Sequence, residues 1–313
     1  MQVEAILNTV DTAIKASYTE FTNNIYKVSP LADRIFSQRR VKPGKPILVP
    51  HVLSKGGTAE WSEAEDGFTY AKPDTIFAPA LNWAYVKNTA FIPVEDLELC
   101  REEAEVVDLT TIALDDMLKG TKELVHTGLY TGSDTASPRQ IGGLQSICHA
   151  SNTYANIDRS DATYAEWRSA STARATLTKA FLDVEIDAIR EFDDLPDLII
   201  TTPTLESAMV NTWAAPFQVI QSRMNPQISW KGLNYKGYTV LADPMCPSGE
   251  LYVLTMKYFK VQTPTAEKLF NIERFANEST FDGVRMRIRQ TLQVVCREPK
   301  LQRRVTGITT IAT

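Results

Sequence analysis

The strongest constraint on the fold is a stretch of 14 residues near the end of the chain, in which two kinds of side chain alternate. The first set, which is mostly apolar, consists of Val284, Met286, Ile288, Gln290, Leu292, Val294 and Cys296. The second set, which includes four arginines, consists of Arg285, Arg287, Arg289, Thr291, Gln293, Val295 and Arg297. Because side chains alternate between the two faces of a strand, this pattern predicts one long strand with a packed face and a cationic face. Most strands have only about five or six residues.

The partner predicted for the packed face is the longest helix of the chain. Pro93 and three acids in the next five residues favour a helix start, because acids are stabilised at the positive end of the helix dipole. Apolar or small residues then recur at steps of three and four as far as Gly128, namely Leu97, Cys100, Ala104, Val107, Thr111, Leu114, Leu118, Thr121 and Val125. About 30 residues at 1.5 Å each give a rod of about 45 Å. Residues 95–116 hold nine acids and one arginine, so one side of the rod is negative.

The N-terminal part of the chain carries a second helical pattern. Its apolar stripe is formed by Val3, Leu7, Val10, Ile14, Tyr18, Phe21, Ile25 and Val28. This amphipathic helix packs either on its own domain or on a neighbouring subunit, and the sequence leaves both alternatives open. A basic turn at residues 39–45 follows Pro30 and ends the pattern.

Residues 45–93 favour a long, irregular hairpin. Ile47–Val49 is predicted to lead out, Gly56–Gly57 marks a turn, and Trp83–Val86 and Ala90–Ile92 are predicted to return. A two-stranded extension of this kind is marginally stable alone, so we expect it to rest on something outside the chain.

The middle of the chain alternates between predicted helices and strands. Gly142–Ile147 is expected to be a turn leading into a strand, and residues 176–192 a helix. Leu198–Thr202 is predicted to be a buried strand, and the following Pro203 suits the first turn of a helix. With three strands predicted over residues 232–262, the segment is typical of an α+β module.

Composition excludes several classes of protein. The 313 residues are 43% hydrophobic and 23% charged, which is typical of a globular protein rather than a disordered or disulfide-scaffold chain. The net charge of −5 disfavours a protein that binds nucleic acid over its whole surface. The apolar runs are too short for a bilayer and the N-terminus does not resemble a signal peptide, so we expect a soluble cytoplasmic product.

The sequence predicts no catalytic, cofactor or metal site, and therefore a protein that is not an enzyme. The four cysteines lack the paired spacing of a zinc site and are interpreted as reduced thiols: Cys100, Cys148, Cys246 and Cys296. The sequence contains no nucleophile elbow, phosphate-binding loop or dinucleotide-binding turn. The alternative is a soluble hydrolase without a local motif, whose pocket would be lined by His51, His126 or His149.

Several short motifs, taken with the order of the elements, resemble a known family. These motifs are Leu129–Gly132, Ile141–Leu144, Ile157–Ser160, Tyr164–Arg168, Asp197–Pro203 and Tyr238–Asp243. They are similar to segments of the major capsid proteins of tailed bacteriophages, which share the fold named after bacteriophage Hong Kong 97. The resemblance covers nearly the whole chain and rests on the order and spacing of the motifs more than on any one of them.

The resemblance implies an α+β fold of four parts. Residues 1–44 would form an N-terminal arm and residues 45–93 an extended β-hairpin loop. Residues 94–182 and 261–313 would form a peripheral domain with the long helix as its spine. Residues 183–260 would form an inserted axial domain near the five-fold and six-fold positions.

The resemblance also implies a function. Such proteins form pentamers and hexamers that close an icosahedral virion shell around double-stranded DNA, which they enclose without reading its sequence. Assembly would take place in the host cytoplasm, with a portal and decoration proteins as further partners. Because only 44 residues precede the hairpin, either a separate scaffolding protein is used or a prosegment was removed, and the presence of Met1 favours a separate scaffolding protein. The alternative with the same fold is the shell of a cellular nanocompartment.

Three arginines near the end of the chain are candidates for assembly contacts. We expect Arg285, Arg287 and Arg289 to face an acidic surface, either the rod helix of a neighbour or the shell interior. Some members of the family cross-link a loop lysine to a neighbour, but the lysines of this hairpin are interpreted as solubilising: Lys45, Lys55, Lys72 and Lys87.

Overall fold

A computed structural model describes the greater part of the chain. The described residues are 29–44, 46–49, 51–52, 61, 76–100, 103–190, 194–213, 217–221, 231–264, 271–278 and 281–312. Their α-helices are α1 Pro30–Ser37, α2 Val94–Leu99, α3 Glu103–Thr131, α4 Leu144–Ile147, α5 Lys179–Arg190 and α6 Pro203–Thr212. Short 3-10 turns lie at Ala162–Trp167, Met256–Tyr258 and Pro299–Leu301. The helix predicted from the N-terminal stripe, Val3 to Val28, falls outside the described residues.

The strands before residue 180 are β1 Arg40–Val41, β2 Ile47–Leu48, β3 His51–Val52, β4 Ile76–Phe77, β5 Ala80–Leu81, β6 Ala84–Pro93, β7 Thr153–Tyr154, β8 Ile157–Asp158, β9 Ala170–Ala173 and β10 Thr176–Leu177. The later strands are β11 Leu198–Thr201, β12 Phe217–Gln221, β13 Lys231–Tyr235, β14 Tyr238–Ala242, β15 Leu251–Leu254, β16 Phe259–Thr263, β17 Asn271–Glu278, β18 Phe281–Cys296, β19 Arg303–Thr306 and β20 Thr310–Ile311. Helices and strands are thus mixed along the chain, which confirms the α+β class.

The long strand predicted from the alternating pattern is confirmed as β18, which has 16 residues. It pairs antiparallel with β6, β17 and β16, and β1 joins this sheet through a parallel pair with β16. The apolar positions of β18 are buried: Val284, Met286, Ile288, Leu292, Val294 and Cys296. Burial of one whole face explains why the period-two pattern is so regular.

Helix α3 covers the packed face of this sheet, mainly through β6. Leu114, Met117 and Leu118 of the helix belong to the same buried cluster as Met286 and Ile288 of β18. The rod was predicted as one helix, but Cys100 is extended and separates α2 from α3, which has 29 residues. The acidic residues predicted to start the rod, Glu95 and Asp96, therefore lie in the first turn of α2. The long spine helix is α3 alone.

A seven-stranded sheet in the order β12-β13-β14-β11-β15-β19-β9 divides the protein into two cores. Successive residues of β11 point to opposite faces, so that Leu198 and Ile200 join the core beneath α3 while Ile199 joins a second core. Helices α5 and α6 contribute Ile186 and Met209 to this second core. The predicted central strand and the helix that starts at Pro203 are both confirmed, and the Thr202 hydroxyl caps α6 by accepting a bond from the Leu205 N–H.

Two strands of this sheet come from outside residues 183–260. The sheet ends with β19 and β9, which pair in parallel, and β19 pairs antiparallel with β15. Three strands were expected over residues 232–262, but four strands lie wholly or partly within them. The last of these, β16, belongs to the other sheet. The boundaries of the inserted module stay a prediction.

The chain at the end of α3 lies so close to residues 141–143 that neither Gly132 nor Gly143 has room for a side chain. The N–H of Gly143 donates to the Gly132 carbonyl at 3.0 Å, and a Cβ on Gly143 would lie 2.6 Å from the Gly132 nitrogen. Two of the motifs behind the family resemblance therefore meet in space. The prediction of a strand near Ile147 was wrong. Residues 144–147 instead form the short helix α4, and Gly143 is its N-cap residue.

Residues 45–93 do form antiparallel pairs, as predicted, but the strands that return are not the predicted ones. In the described part, β2 pairs antiparallel with β5, and β3 pairs antiparallel with β4. The segments expected to return, Trp83–Val86 and Ala90–Ile92, lie mostly in β6 and pair with β18 instead. Their even-numbered apolar residues are buried under α3, which a free hairpin would leave exposed.

Candidate functional site

The three arginines predicted as assembly contacts lie side by side on one face of the large sheet. Arg289 is exposed, and Arg285 and Arg287 are half-buried. In the antiparallel register, Arg285, Arg287 and Arg289 stand opposite Phe91, Thr89 and Lys87 of β6. Directly opposite residues share a face, so Lys87 adds a fourth positive charge to this row.

Aromatic side chains accompany this cationic row, which the sequence analysis missed. Phe91 and Tyr85 are 47% and 51% exposed on the same face of β6. The guanidinium of Arg285 lies 5.9 Å from the centre of the Phe91 ring, within range of a cation–π contact. Gly283 makes room for this ring, because a Cβ there would lie 2.5 Å from a ring atom of Phe91. The alternation from Ala84 to Pro93 is the signal that would have found this face.

We call the face formed by Tyr85, Lys87, Thr89, Phe91, Arg285, Arg287 and Arg289 the cationic face. On its other edge, β18 pairs with β17, and the register puts Glu273 opposite Arg287. The odd-numbered residues of β6 and β18 point away from α3, since the even-numbered ones pack in the core beneath it. The cationic face therefore lies on the side of the sheet opposite the helix.

The outer side of α3 carries an acidic stripe. Exposed residues recur at steps of three and four, and we define the stripe as Glu105, Asp108, Ile112, Asp116, Lys119 and Glu123. Four of these six residues are acids and one is a cation, and Ile112 is 66% exposed. One chain thus presents a negative surface and a positive surface on opposite sides of a helix-on-sheet layer. Surfaces arranged in this way cannot meet within one molecule, but they can meet between two copies.

The histidines do not form a reactive pocket in the described part of the protein. His126 is buried on α3, and burial lowers its pKa while nearby Asp243 opposes the shift. His149 accepts the N–H groups of Ser151 and Asn152 on Nδ1, and burial lowers its pKa as well. The side chain of His51, the third candidate, lies outside the described set.

Three of the four cysteines, namely Cys148, Cys246 and Cys296, are buried. Burial raises the pKa of the Cys148 thiol to about 12, and it also raises the pKa of Cys246 and Cys296. For these three thiols, thiolate formation, which both nucleophilic attack and metal binding require, is therefore strongly disfavoured at neutral pH. Among the described residues, no cluster of three or more histidine, cysteine or acidic side chains has the arrangement of a metal site.

A buried carboxylate joins the three parts of the protein that meet near the end of α3. Asp243, which follows β14, accepts hydrogen bonds from the Tyr130 hydroxyl at 2.7 Å and from the Ser29 hydroxyl, while its other oxygen accepts the Met245 N–H at 2.9 Å. Ser29 precedes α1 and Tyr130 lies on α3. Because this carboxylate accepts hydrogen bonds from three separate segments, it holds α1 against the spine and the second sheet.

Buried Arg159 holds the segment after α4 in the same manner. Its guanidinium donates to the Ile147 carbonyl at 2.7 Å and to the carbonyls of Ser146 and Asn152. It also lies 5.5 Å from the centre of the Tyr154 ring, and burial lowers its pKa to about 10. The arginine remains charged at neutral pH and acts as a structural crosslink.

Within the described residues, the helices are all too short or too polar to cross a lipid bilayer.

No protein-family model and no curated protein matches the chain. Several solved structures, in contrast, are similar to the chain. The capsid protein of cyanophage A-1(L) superposes with a TM-score of 0.69 at 17% identity, covering 90% of this chain and 93% of that one. The capsid protein of a native GTA particle gives 0.60 at 9% identity, covering 88% and 89%. The SrpI encapsulin of Synechococcus elongatus gives 0.55 at 8% identity, covering 90% and 88%. The chain therefore has the Hong Kong 97-type capsid fold, as the sequence motifs predicted.

Proposed function

We propose that this protein is the major capsid protein of a tailed bacteriophage, and that its copies assemble as pentamers and hexamers into an icosahedral shell around double-stranded DNA. The observation that carries the proposal is the match to the cyanophage A-1(L) capsid, which covers nine-tenths of both chains with a TM-score of 0.69. The proposed role is structural, and no step of it requires a cofactor, a metal or catalysis.

The two charged surfaces support a ring of identical subunits. In a cyclic ring each chain contacts its neighbour head to tail, so it must carry two different and complementary patches. The cationic face and the acidic stripe are such a pair, and they lie on opposite sides of the chain. We propose that Arg285, Arg287 and Arg289 contact the acidic stripe on α3 of the next copy.

The division into parts follows from the same proposal. Residues 1–44 would serve as an arm and 45–93 as a loop that lies across a neighbouring subunit. Residues 94–182 and 261–313 would form the peripheral domain, and 183–260 the axial domain. Further proposed partners are a separate scaffolding protein, a portal and decoration proteins, with the virion as the final location and the host cytoplasm as the place of assembly.

The second candidate is the shell of a cellular nanocompartment. It is favoured by the similarity to the SrpI encapsulin, which covers 90% of this chain with a TM-score of 0.55. This score is lower than the 0.69 of the cyanophage capsid, and for that reason we rank the viral shell first.

Light scattering coupled to size exclusion, followed by electron microscopy of the largest species, tests the proposal. We expect rings of five or six subunits or closed polyhedral shells, with co-expression of neighbouring genes to supply a scaffold. Nuclease-protected double-stranded DNA in particles from the native source supports a virion, whereas an enclosed enzyme supports a nanocompartment. A protein that stays monomeric under all these conditions would contradict both shell functions.

A further inference from the structure

A cleft of about 600 Å³ opens where the end of α1 and the short strand β1 meet β16. Its lining residues are Ser37, Gln38, Arg39, Arg40, Lys257 and Lys260. Four of the six are cations, and the described lining includes no carboxylate. Because the chain as a whole has a net charge of −5, this cleft is a local cationic site on an acidic protein.

Two of the four cations are held by neighbouring side chains. Arg39 donates from Nε to the Thr263 hydroxyl at 3.0 Å, and the Lys257 ammonium forms an ion pair with Asp194. Arg40 is exposed on β1, and Lys260 is half-buried on β16. The cleft therefore combines two anchored charges with two others on adjacent strands, next to the polar side chains of Ser37 and Gln38.

We propose that this cleft binds the phosphate backbone of nucleic acid without reading its sequence. The inference rests on the proposed function, in which the shell encloses DNA. Closely placed arginine and lysine side chains with hydroxyl and amide donors are the groups that contact phosphates in protein–DNA complexes. None of the six described lining residues is aromatic, so the cleft offers no platform for stacking bases. The contact would fasten the backbone only.

The acidic stripe of another copy fits this cleft less well. An α-helix with its side chains is about 10–12 Å wide, and its stripe extends along several turns. Such a surface matches the flat cationic face of β6 and β18 better than a cleft of about 600 Å³ formed by six residues. One sugar–phosphate strand at the edge of a duplex is narrower than this and presents its charges one at a time. The phosphate backbone is therefore the occupant that we infer.

Binding of a short fluorescein-labelled DNA duplex to the unassembled full chain tests the inference, with fluorescence anisotropy measured over a range of salt concentrations. The test variant is Arg40→Gln with Lys260→Gln, which leaves the anchored Arg39 and Lys257 in place. The matched control is Lys119→Gln with Arg139→Gln, which removes two exposed cations elsewhere. A poly-glutamate peptide serves as a competitor. Shell formation is scored separately by electron microscopy.

We expect the test variant to bind the duplex several-fold more weakly, with a slope of log affinity against log salt that is smaller by about two, one for each cation removed. The control should keep the slope of the original chain. An unchanged slope in the test variant, or an equal loss in the control, would overturn the inference. Displacement of the duplex by poly-glutamate at the same concentration of charges would also overturn the inference, because the cleft would then show no preference for phosphates over carboxylates. If shells fail to form but the slope still falls, the proposed function fails and the phosphate site stands.

Discussion

Single buried side chains show what structural role the motifs behind the family resemblance have. Arg159 belongs to the motif Ile157–Ser160, and its donors satisfy main-chain carbonyls at the end of α4 and at Asn152 beyond it. The ring of Trp167, from the motif Tyr164–Arg168, stacks on Tyr154 with centroids 5.9 Å apart. Each of these motifs makes contacts within a short stretch of the chain, and the motifs were recognised by their order and spacing in the sequence. The partners themselves could not be predicted, because they lie in an irregular segment without periodicity.

His126 provides a prediction at the same scale. Burial lowers its pKa, so the folded protein holds it neutral, while the unfolded chain takes up a proton below about pH 6.5. The stability contributed by neutral His126 is therefore present above the unfolded pKa and is lost as the pH falls through it. Asp243 and Lys122 are the charges that act on it, in opposite directions. We expect the melting temperature of the unassembled chain to fall between about pH 7 and pH 5, and to fall less in His126→Gln.

Thermal unfolding followed by circular dichroism checks this, with both proteins also measured near pH 8, where each histidine is neutral in both states. Any general cost of the substitution appears there and is subtracted. Asp134 and Asp197 oppose the trend, since burial raises their pKa values and favours their protonated forms in the folded state. An equal acid-side fall in the two proteins would rule out His126 as its source.

At the scale of elements, the periodicity of apolar residues predicted those helices and strands that bury one face along their length. The existence and approximate length of β18, the choice of its packed face and the existence of α3 followed from regular apolar spacing, since each buries one face. The partner of β6 did not follow, because pairing between distant strands leaves no local trace in the sequence. The break at Cys100 was also missed, as its extended backbone interrupts an apolar stripe that continues on both sides.

The cationic face yields a prediction for assembly. Replacing Arg285, Arg287 and Arg289 together by Gln removes three charges from one face and leaves the buried face of β18 unchanged. Each exposed pair contributes only about 0–1 kcal/mol, so the effect on assembly should be cumulative. We expect the triple variant to keep the circular dichroism spectrum of the original chain and to assemble less, with a weaker dependence on salt.

Sedimentation of assembled particles over a range of salt concentrations measures this. The control is the triple Lys variant, which keeps the charge and should keep most of the assembly, although it loses the planar geometry of the guanidinium groups. If the Gln variant assembles with unchanged yield and unchanged salt sensitivity, the arginines are not assembly contacts.

At the scale of the whole molecule, the topology goes beyond any local signal. The seven-stranded sheet brings together β9 and β19, which are separated by about 130 residues, and its two faces serve separate cores. Such long-range pairing could be anticipated only through resemblance to a complete fold. The same resemblance could not identify the surfaces that two copies use, because those depend on charges specific to this chain.

A charge exchange between the two surfaces tests whether they meet. Arg287→Glu with Arg289→Glu makes the cationic face repel an acidic neighbour, and Asp108→Lys with Asp116→Lys does the same from the other side. Each double variant alone should assemble poorly, because like charges would then face one another across every contact. A single chain with all four changes restores opposite charges at each contact, in pentamers as well as hexamers, and should regain assembly by sedimentation and electron microscopy. If the variant of the α3 stripe assembles normally by itself, the arginines face another surface, such as the shell interior.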